Sequence, residues 1–149
     1  TAAREMTWAL RPDLQQGEPL SAALKALAQR WSAANGIHVL FTVSGDEQKL
    51  HPDIETLLLR TAREALNNIR KHARATKSSM TLTYLDTLVA LDVQDNGKGF
   101  DVDSLPITEV SGGFGLKSIR EQAARLNGEL TIESETGKGT TLAVSIPIT

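Results

Sequence analysis

Two pairs of neighbouring strand-like segments constrain this chain more than any other feature. Residues 79–85 and 89–94 alternate apolar and polar side chains, like two strands of a hairpin joined near Asp86-Thr87. Residues 129–134 and 140–147 repeat the pattern around the turn Glu135-Thr136-Gly137-Lys138-Gly139. Strands joined by such short links pair antiparallel, so a doubly wound parallel sheet does not fit. Another strand is predicted over 37–43, closed by the turn Ser44-Gly45-Asp46.

Helical periodicity fills most of the remainder. Residues 1–10 read as the end of a helix with Met6, Ala9 and Leu10 on one face, stopped by Arg11-Pro12. Ser21 is expected to cap a second helix carrying Leu24, Leu27, Ala28 and Trp31, which Asn35-Gly36 ends. A third is predicted over 52–73, with Leu58, Ala62, Ala65, Leu66 and Ile69 inward. A fourth runs from about Gly115 to Asn127-Gly128, with Leu116, Ile119, Ala123 and Leu126 inward. The fold expected is a two-layer α/β sandwich, a mixed, mostly antiparallel sheet covered on one face by helices. A chain of 149 residues with 40% apolar and 23% charged residues suits one such domain.

Composition removes several chemistries. With no cysteine there is no disulfide, thiolate zinc site or cysteine nucleophile. A net charge of −2 argues against direct nucleic-acid binding by the surface as a whole. No apolar run approaches the roughly 18 residues of a membrane helix, and no signal peptide is visible. A start at Thr1 reads as a fragment, which leaves room for an inner-membrane anchor elsewhere in a parent protein.

Three segments carry chemical potential. In Glu64-Ala65-Leu66-Asn67-Asn68-Ile69-Arg70-Lys71-His72, Glu64 and Asn68 share a helix face. Lys71 and His72 continue that polar stripe. A solvated face explains it equally well, but two consecutive asparagines are poor helix formers, and an amide oxygen suits Mg²⁺. Asp95-Asn96-Gly97-Lys98-Gly99-Phe100 follows an apolar strand. It reads as a turn, or as a carboxylate placed to accept from an amine, with Gly97 and Gly99 admitting a flat ring. Gly112-Gly113-Phe114-Gly115-Leu116 opens a helix, where freed N–H groups suit phosphate; alone, a linker explains it better. Neither a dinucleotide-binding fingerprint nor a P-loop is complete. Ser118 replaces a third glycine, and Ile132 stands where the first glycine of a P-loop ending in Gly137-Lys138-Gly139-Thr140 belongs.

In order and spacing these segments resemble the Bergerat ATP-binding fold shared by histidine kinases, DNA gyrase, the Hsp90 chaperones and MutL. Within it they are similar to two-component sensor histidine kinases of the nitrate-sensor and desaturase-sensor type. Residues 64–73 match the N box, 95–100 the first glycine box and 113–116 the second. Leu10-Arg11-Pro12, the stretch 119–128 and Gly137 to Thr141 are also typical of that subfamily. The resemblance implies ATP and Mg²⁺ as ligands. It assigns Asp95 to the adenine amine, Asn68 to the metal, and Lys71 and His72 to phosphate. Gly97 and Gly99 would line the adenine pocket, with Thr140 assisting. Gly113, Gly115 and Leu116 would form the hinge of a short lid over 101–115. Glu64 sits where ATP-hydrolysing relatives keep a general base. Glu64, Asn68 and Lys71 are the catalytic candidates. The expected organisation is a dimerisation-helix tail over 1–12 and a catalytic domain over 13–149, lying in the cytoplasm.

The phosphate acceptor expected of the family is a histidine followed by an acidic residue. His38 precedes Val39, His51 precedes Pro52 and His72 precedes Ala73, so the acceptor must lie on a separate dimerisation domain. Their scatter also argues against zinc. The partners implied are that domain of a homodimeric parent, with this piece itself monomeric, and a response regulator with helix-turn-helix output. The alternatives are an anti-sigma-factor-type serine kinase, a non-catalytic nucleotide-binding module, and a gyrase-type ATPase for which the length leaves no room.

Overall fold

The structure is a computed structural model and describes residues 18–99 and 115–148, with the side chains of His72 and Ala73 excepted. The predicted first helix, the lid over 101–114, and Gly113 and Phe114 within it lie outside the described residues. In chain order the elements are α1 (Leu20–Asn35), β1 (His38–Ser44), α2 (Pro52–Asn68), a π-turn (Ile69–Ala73), β2 (Lys77–Tyr84), β3 (Leu88–Asp95), α3 (Gly115–Arg125), β4 (Glu129–Ser134) and β5 (Thr140–Pro147).

The five strands form one sheet in the order β1-β2-β3-β5-β4. Only β1 and β2 run parallel, and α2 crosses between them; every other pair is antiparallel. Register explains the two layers. Met80, Val93, Leu142 and Ile132 lie side by side across four strands, and so do Leu82, Leu91, Val144 and Leu130. All but Ile132 are buried, and Ile132 packs against the same core. The intervening rows, such as Thr81, Asp92, Ala143 and Thr131, point to the other face, which no helix covers. The expected two-layer α/β sandwich is the architecture found.

Helix α2 is the centre of the covering layer. Leu58, Ala62, Ala65 and Leu66 recur at helical spacing and are buried. Its start is fixed by His51, whose imidazole accepts from the Asp53 N–H at 3.0 Å, and by Pro52 in the first turn. Helix α1 starts differently from the sequence expectation. Pro19 occupies the cap position and Ser21 lies inside the helix. The Ser21 hydroxyl donates instead to Glu47, 26 residues away, at 3.0 and 3.1 Å. Gly36 ends α1 in the left-handed conformation, as the Asn-Gly pair implied.

α3 lies along α2 and is tied to it by Arg60. The guanidinium donates to Ser118 Oγ at 2.8 Å and also to Gln122 Oε1. Together α2 and α3 shield the central strands. Truncating Leu66→Ala, at a fully buried position, should cost about 2–5 kcal/mol in urea denaturation. Leu40→Ala, on the uncovered face and 57% exposed, should change stability by under about 0.5 kcal/mol.

Candidate functional site

The apolar rows of the sheet stop abruptly at one end. The next row on the helix-covered face is Ser78, Asp95, Thr140 and Ser134, read across β2, β3, β5 and β4. Three hydroxyls and a carboxylate thus replace four hydrophobes. The α2 terminus reaches this end of the sheet, because the π-turn after Asn68 leads within a few residues into β2. The start of α3 reaches it too, since Gly115 lies against Glu64 of α2.

Asp95 ends β3 and is half-buried. Its Oδ1 accepts from the Gly97 N–H at 2.8 Å. Burial pushes its carboxyl above the usual carboxylate range, while N–H groups of Gly97 and Thr140 hold it partly back. A half-buried carboxylate of this kind offers its unused lone pairs to a donor on a ligand.

The loops on either side of Asp95 and Thr140 pack backbone against backbone. Gly139 adopts φ +87°, and a Cβ there would stand 2.1 Å from the Asp95 carbonyl oxygen. Gly99 adopts φ +63°, and its Cβ would stand 2.1 Å from the Glu135 carbonyl oxygen. The Gly137 N–H also donates to the Lys98 carbonyl. The 95–99 and 135–139 loops are therefore one unit, possible only with glycine at the contacts. A depression of about 400 Å³ lies at this end, lined by Asp95, Gly139 and Thr140 together with Gln94, Glu133 and Thr141. The last three belong to the uncovered face, so the depression wraps around the end of the sheet.

Asn68 is the last α-helical residue before the π-turn. Its Oδ1 is buried and has no hydrogen-bond partner among the described residues. Orphaned buried oxygens are rare, because leaving one unmade costs about 1–3 kcal/mol. An unpaired amide oxygen is the hard donor that Mg²⁺ takes, so the residue fits that metal. Its neighbour Asn67 accepts from Arg70 at 3.1 Å. The two asparagines thus mark a helix transition, of a kind often found at functional sites.

The remaining candidates divide. Glu64 comes close to Gly115: a Cβ on that glycine would lie 2.4 Å from Glu64 Cδ. Leu116 is fully buried, so it supports the α3 terminus from inside the core. Gly97 is buried and Gly99 half-buried in the first loop. Lys71 is exposed on the π-turn, whose wider winding breaks the α-helical stripe that sequence spacing extended through it. The His72 side chain and Gly113 lie outside the described residues.

Sequence reasoning missed Asn96. Its Oδ1 accepts from the N–H groups of Thr76 and Lys77 at 2.9 and 3.0 Å, and its Nδ2 donates to Thr76 Oγ1. It fastens the first loop to the start of β2, just beyond the π-turn. The Asn-Gly pair signalled a turn, and nothing local pointed to a partner 20 residues earlier.

This fold and site define an ATPase domain: the chain belongs to the family of histidine kinase-, DNA gyrase B-, and HSP90-like ATPases, which it matches over residues 53–149. It is 35% identical over 126 residues to the signal transduction histidine-protein kinase/phosphatase DegS of Brevibacillus brevis, covering 85% of this chain and 32% of that protein. It is also 35% identical over 144 residues to the sensor histidine kinase MctS of Rhizobium johnstonii, covering 97% and 31%. The sensor histidine kinase LiaS of Bacillus subtilis is 30% identical over 139 residues, covering 93% and 37%. The chain therefore spans about a third of the length of these relatives. Its fold superposes on the histidine kinase domain of the Erythrobacter litoralis EL346 blue-light activated histidine kinase with a TM-score of 0.69 at 23% identity, covering 88% of this chain and 62% of that one. No helix among the described residues is long and apolar enough to cross a membrane.

The joined loops give a direct test. Gly137 has φ +83° but open space around its Cβ position. Gly137→Ala should cost about 1–2 kcal/mol, the ordinary penalty of a left-handed residue. Gly139→Ala adds a collision with the Asp95 carbonyl and should cost distinctly more, read as a lower urea midpoint.

Proposed function

We propose that this domain binds Mg-ATP and donates the γ-phosphoryl group to a histidine on the dimerisation domain of a two-component sensor kinase. The observation that carries the reading is the buried, unpartnered amide oxygen of Asn68 at the same end of the fold as the half-buried carboxylate of Asp95. One suits a metal riding on phosphate and the other the amine edge of adenine. The printed names of the relatives support the kinase reading.

In this reading Asp95 accepts from the adenine amine, and Gly97 and Gly99 leave room for the ring. Thr140 adds a second polar contact beside Asp95. Asn68 holds Mg²⁺, which neutralises phosphate charge. Lys71 and His72 add positive charge near the phosphates, and Gly113, Gly115 and Leu116 form the base of a lid. Glu64, next to Gly115, orients the groups around the phosphate end. Phosphoryl transfer depends on positioning and charge neutralisation rather than covalent help from the protein, so this set suffices without a nucleophile.

The Gly137 to Thr141 turn and the 119–128 stretch place the chain with the nitrate-sensor and desaturase-sensor kinases rather than with serine kinases. The parent is then a dimer with residues 1–12 continuing into its dimerisation helices. The catalytic domain faces the cytoplasm, and the phosphoryl group passes on to a response regulator with a helix-turn-helix output.

Titration calorimetry of this chain should show saturable binding of ATP, stronger with Mg²⁺ and much weaker for GTP. Asp95→Asn should weaken ATP binding about 10–100-fold, the scale of a lost hydrogen bond to a charged group, with the circular dichroism spectrum unchanged. Asn68→Ala should remove most of the Mg²⁺ effect. Normal ATP affinity in Asp95→Asn, or an undiminished Mg²⁺ effect in Asn68→Ala, would contradict the respective assignment.

A further inference from the structure

The end of the sheet holds a hydroxyl relay whose direction is fixed by proton count. Ser134 and Thr140 face each other across β4 and β5, and Thr140 is in turn the register partner of Asp95. Ser134 Oγ lies 3.0 Å from the Gly139 carbonyl oxygen and 2.8 Å from Thr140 Oγ1. A carbonyl only accepts, and a serine hydroxyl has one proton to give. Were that proton given to Thr140, two lone-pair oxygens would face each other at 3.0 Å. Both distances are satisfied when Ser134 donates to Gly139 and Thr140 donates to Ser134.

The anchor of this relay is rigid. Gly139 is pressed against the Asp95 backbone, with no room for a Cβ, so its carbonyl is held in place. Thr140 has therefore committed its only hydroxyl proton to Ser134. Toward any other neighbour it is an acceptor alone, and it stands beside the carboxylate of Asp95 on the helix-covered face.

We propose that Ser134 is a specificity-determining residue of the nucleotide site, acting through Thr140; this rests on the ATP-binding reading above. Ser134 stops the Thr140 hydroxyl from rotating to become a donor. The row then presents acceptors only, Asp95 and Thr140, to the base edge. A 6-amino purine offers donors there. A 6-oxo purine offers an oxygen, which a fixed acceptor repels. A merely structural Ser134 would staple the 135–139 turn and have no effect on the choice of base.

The test compares ATP with inosine triphosphate, which has the same phosphates and ribose but a 6-oxo base. Calorimetry on the wild-type chain should show a strong preference for ATP. In Ser134→Ala the Thr140 hydroxyl is free to donate, and the preference should fall about tenfold, the scale of one hydrogen bond gained or unmet. Ser134→Thr, which keeps the hydroxyl, should retain the wild-type ratio. If Ser134→Ala does not fold, as judged by its thermal melt, Ser134→Cys serves, because a thiol is a weak acceptor and donor. An unchanged ratio in the folded variant, or equal weakening for both nucleotides, would overturn the relay while leaving the ATP site intact. Failure of the wild-type chain to bind either nucleotide would instead overturn the ATP reading, and the relay with it.

Discussion

The carbonyl of Asp95 occupies the place where a side chain on residue 139 would have to be. That close approach fastens the turn after β3 to the turn before β5, and the rest of the site depends on it. Asp95 and Thr140 are neighbours only because their strands pair up to their last residues. The strands stay in register there because Gly99 and Gly139 let two backbones touch. A bulky residue at either glycine would separate the carboxylate from the hydroxyl without disturbing the hydrophobic core far below.

The remaining parts arrive from the helical layer. Buried leucines and alanines hold α2 on the sheet, which brings Glu64 and Asn68 to the polar end. Arg60 binds α3 through Ser118 and Gln122, which brings Gly115 against Glu64. Core packing therefore sets the coarse placement, and a few polar contacts set the fine one. Such a division suits a phosphoryl-transfer site, where geometry contributes more than covalent chemistry.

Much of this was legible in the sequence because the signals were local. Alternation located β2, β3, β4 and β5 to within two residues, and helical spacing located the inward leucines of α2. Asp95 could be placed at a strand end because apolar residues precede it and Asn-Gly follows. What escaped were features decided at a distance. Ser21 looked like a cap, but Glu47 claims its hydroxyl. Asn96 looked like a turn residue, but it fastens Thr76 and Lys77. Ser134 is one serine among the polar residues of a strand, and its importance comes from Gly139 and Thr140 across the turn. The π-turn at Ile69–Ala73 has no periodic signature, so Lys71 was assigned to a stripe that the winding interrupts.

The central claim is that one cleft at the polar end of the sheet receives the nucleotide. It is tested most directly by amide chemical-shift mapping of the ¹⁵N-labelled chain titrated with Mg-ATP. The account predicts shifts concentrated at Asn68, Asp95 to Gly99, Gly115, Leu116, Gly139 and Thr140. Shifts confined to the uncovered sheet face around Thr81, Asp92 and Ala143, or no shifts in a well-folded sample at saturating nucleotide, would contradict it.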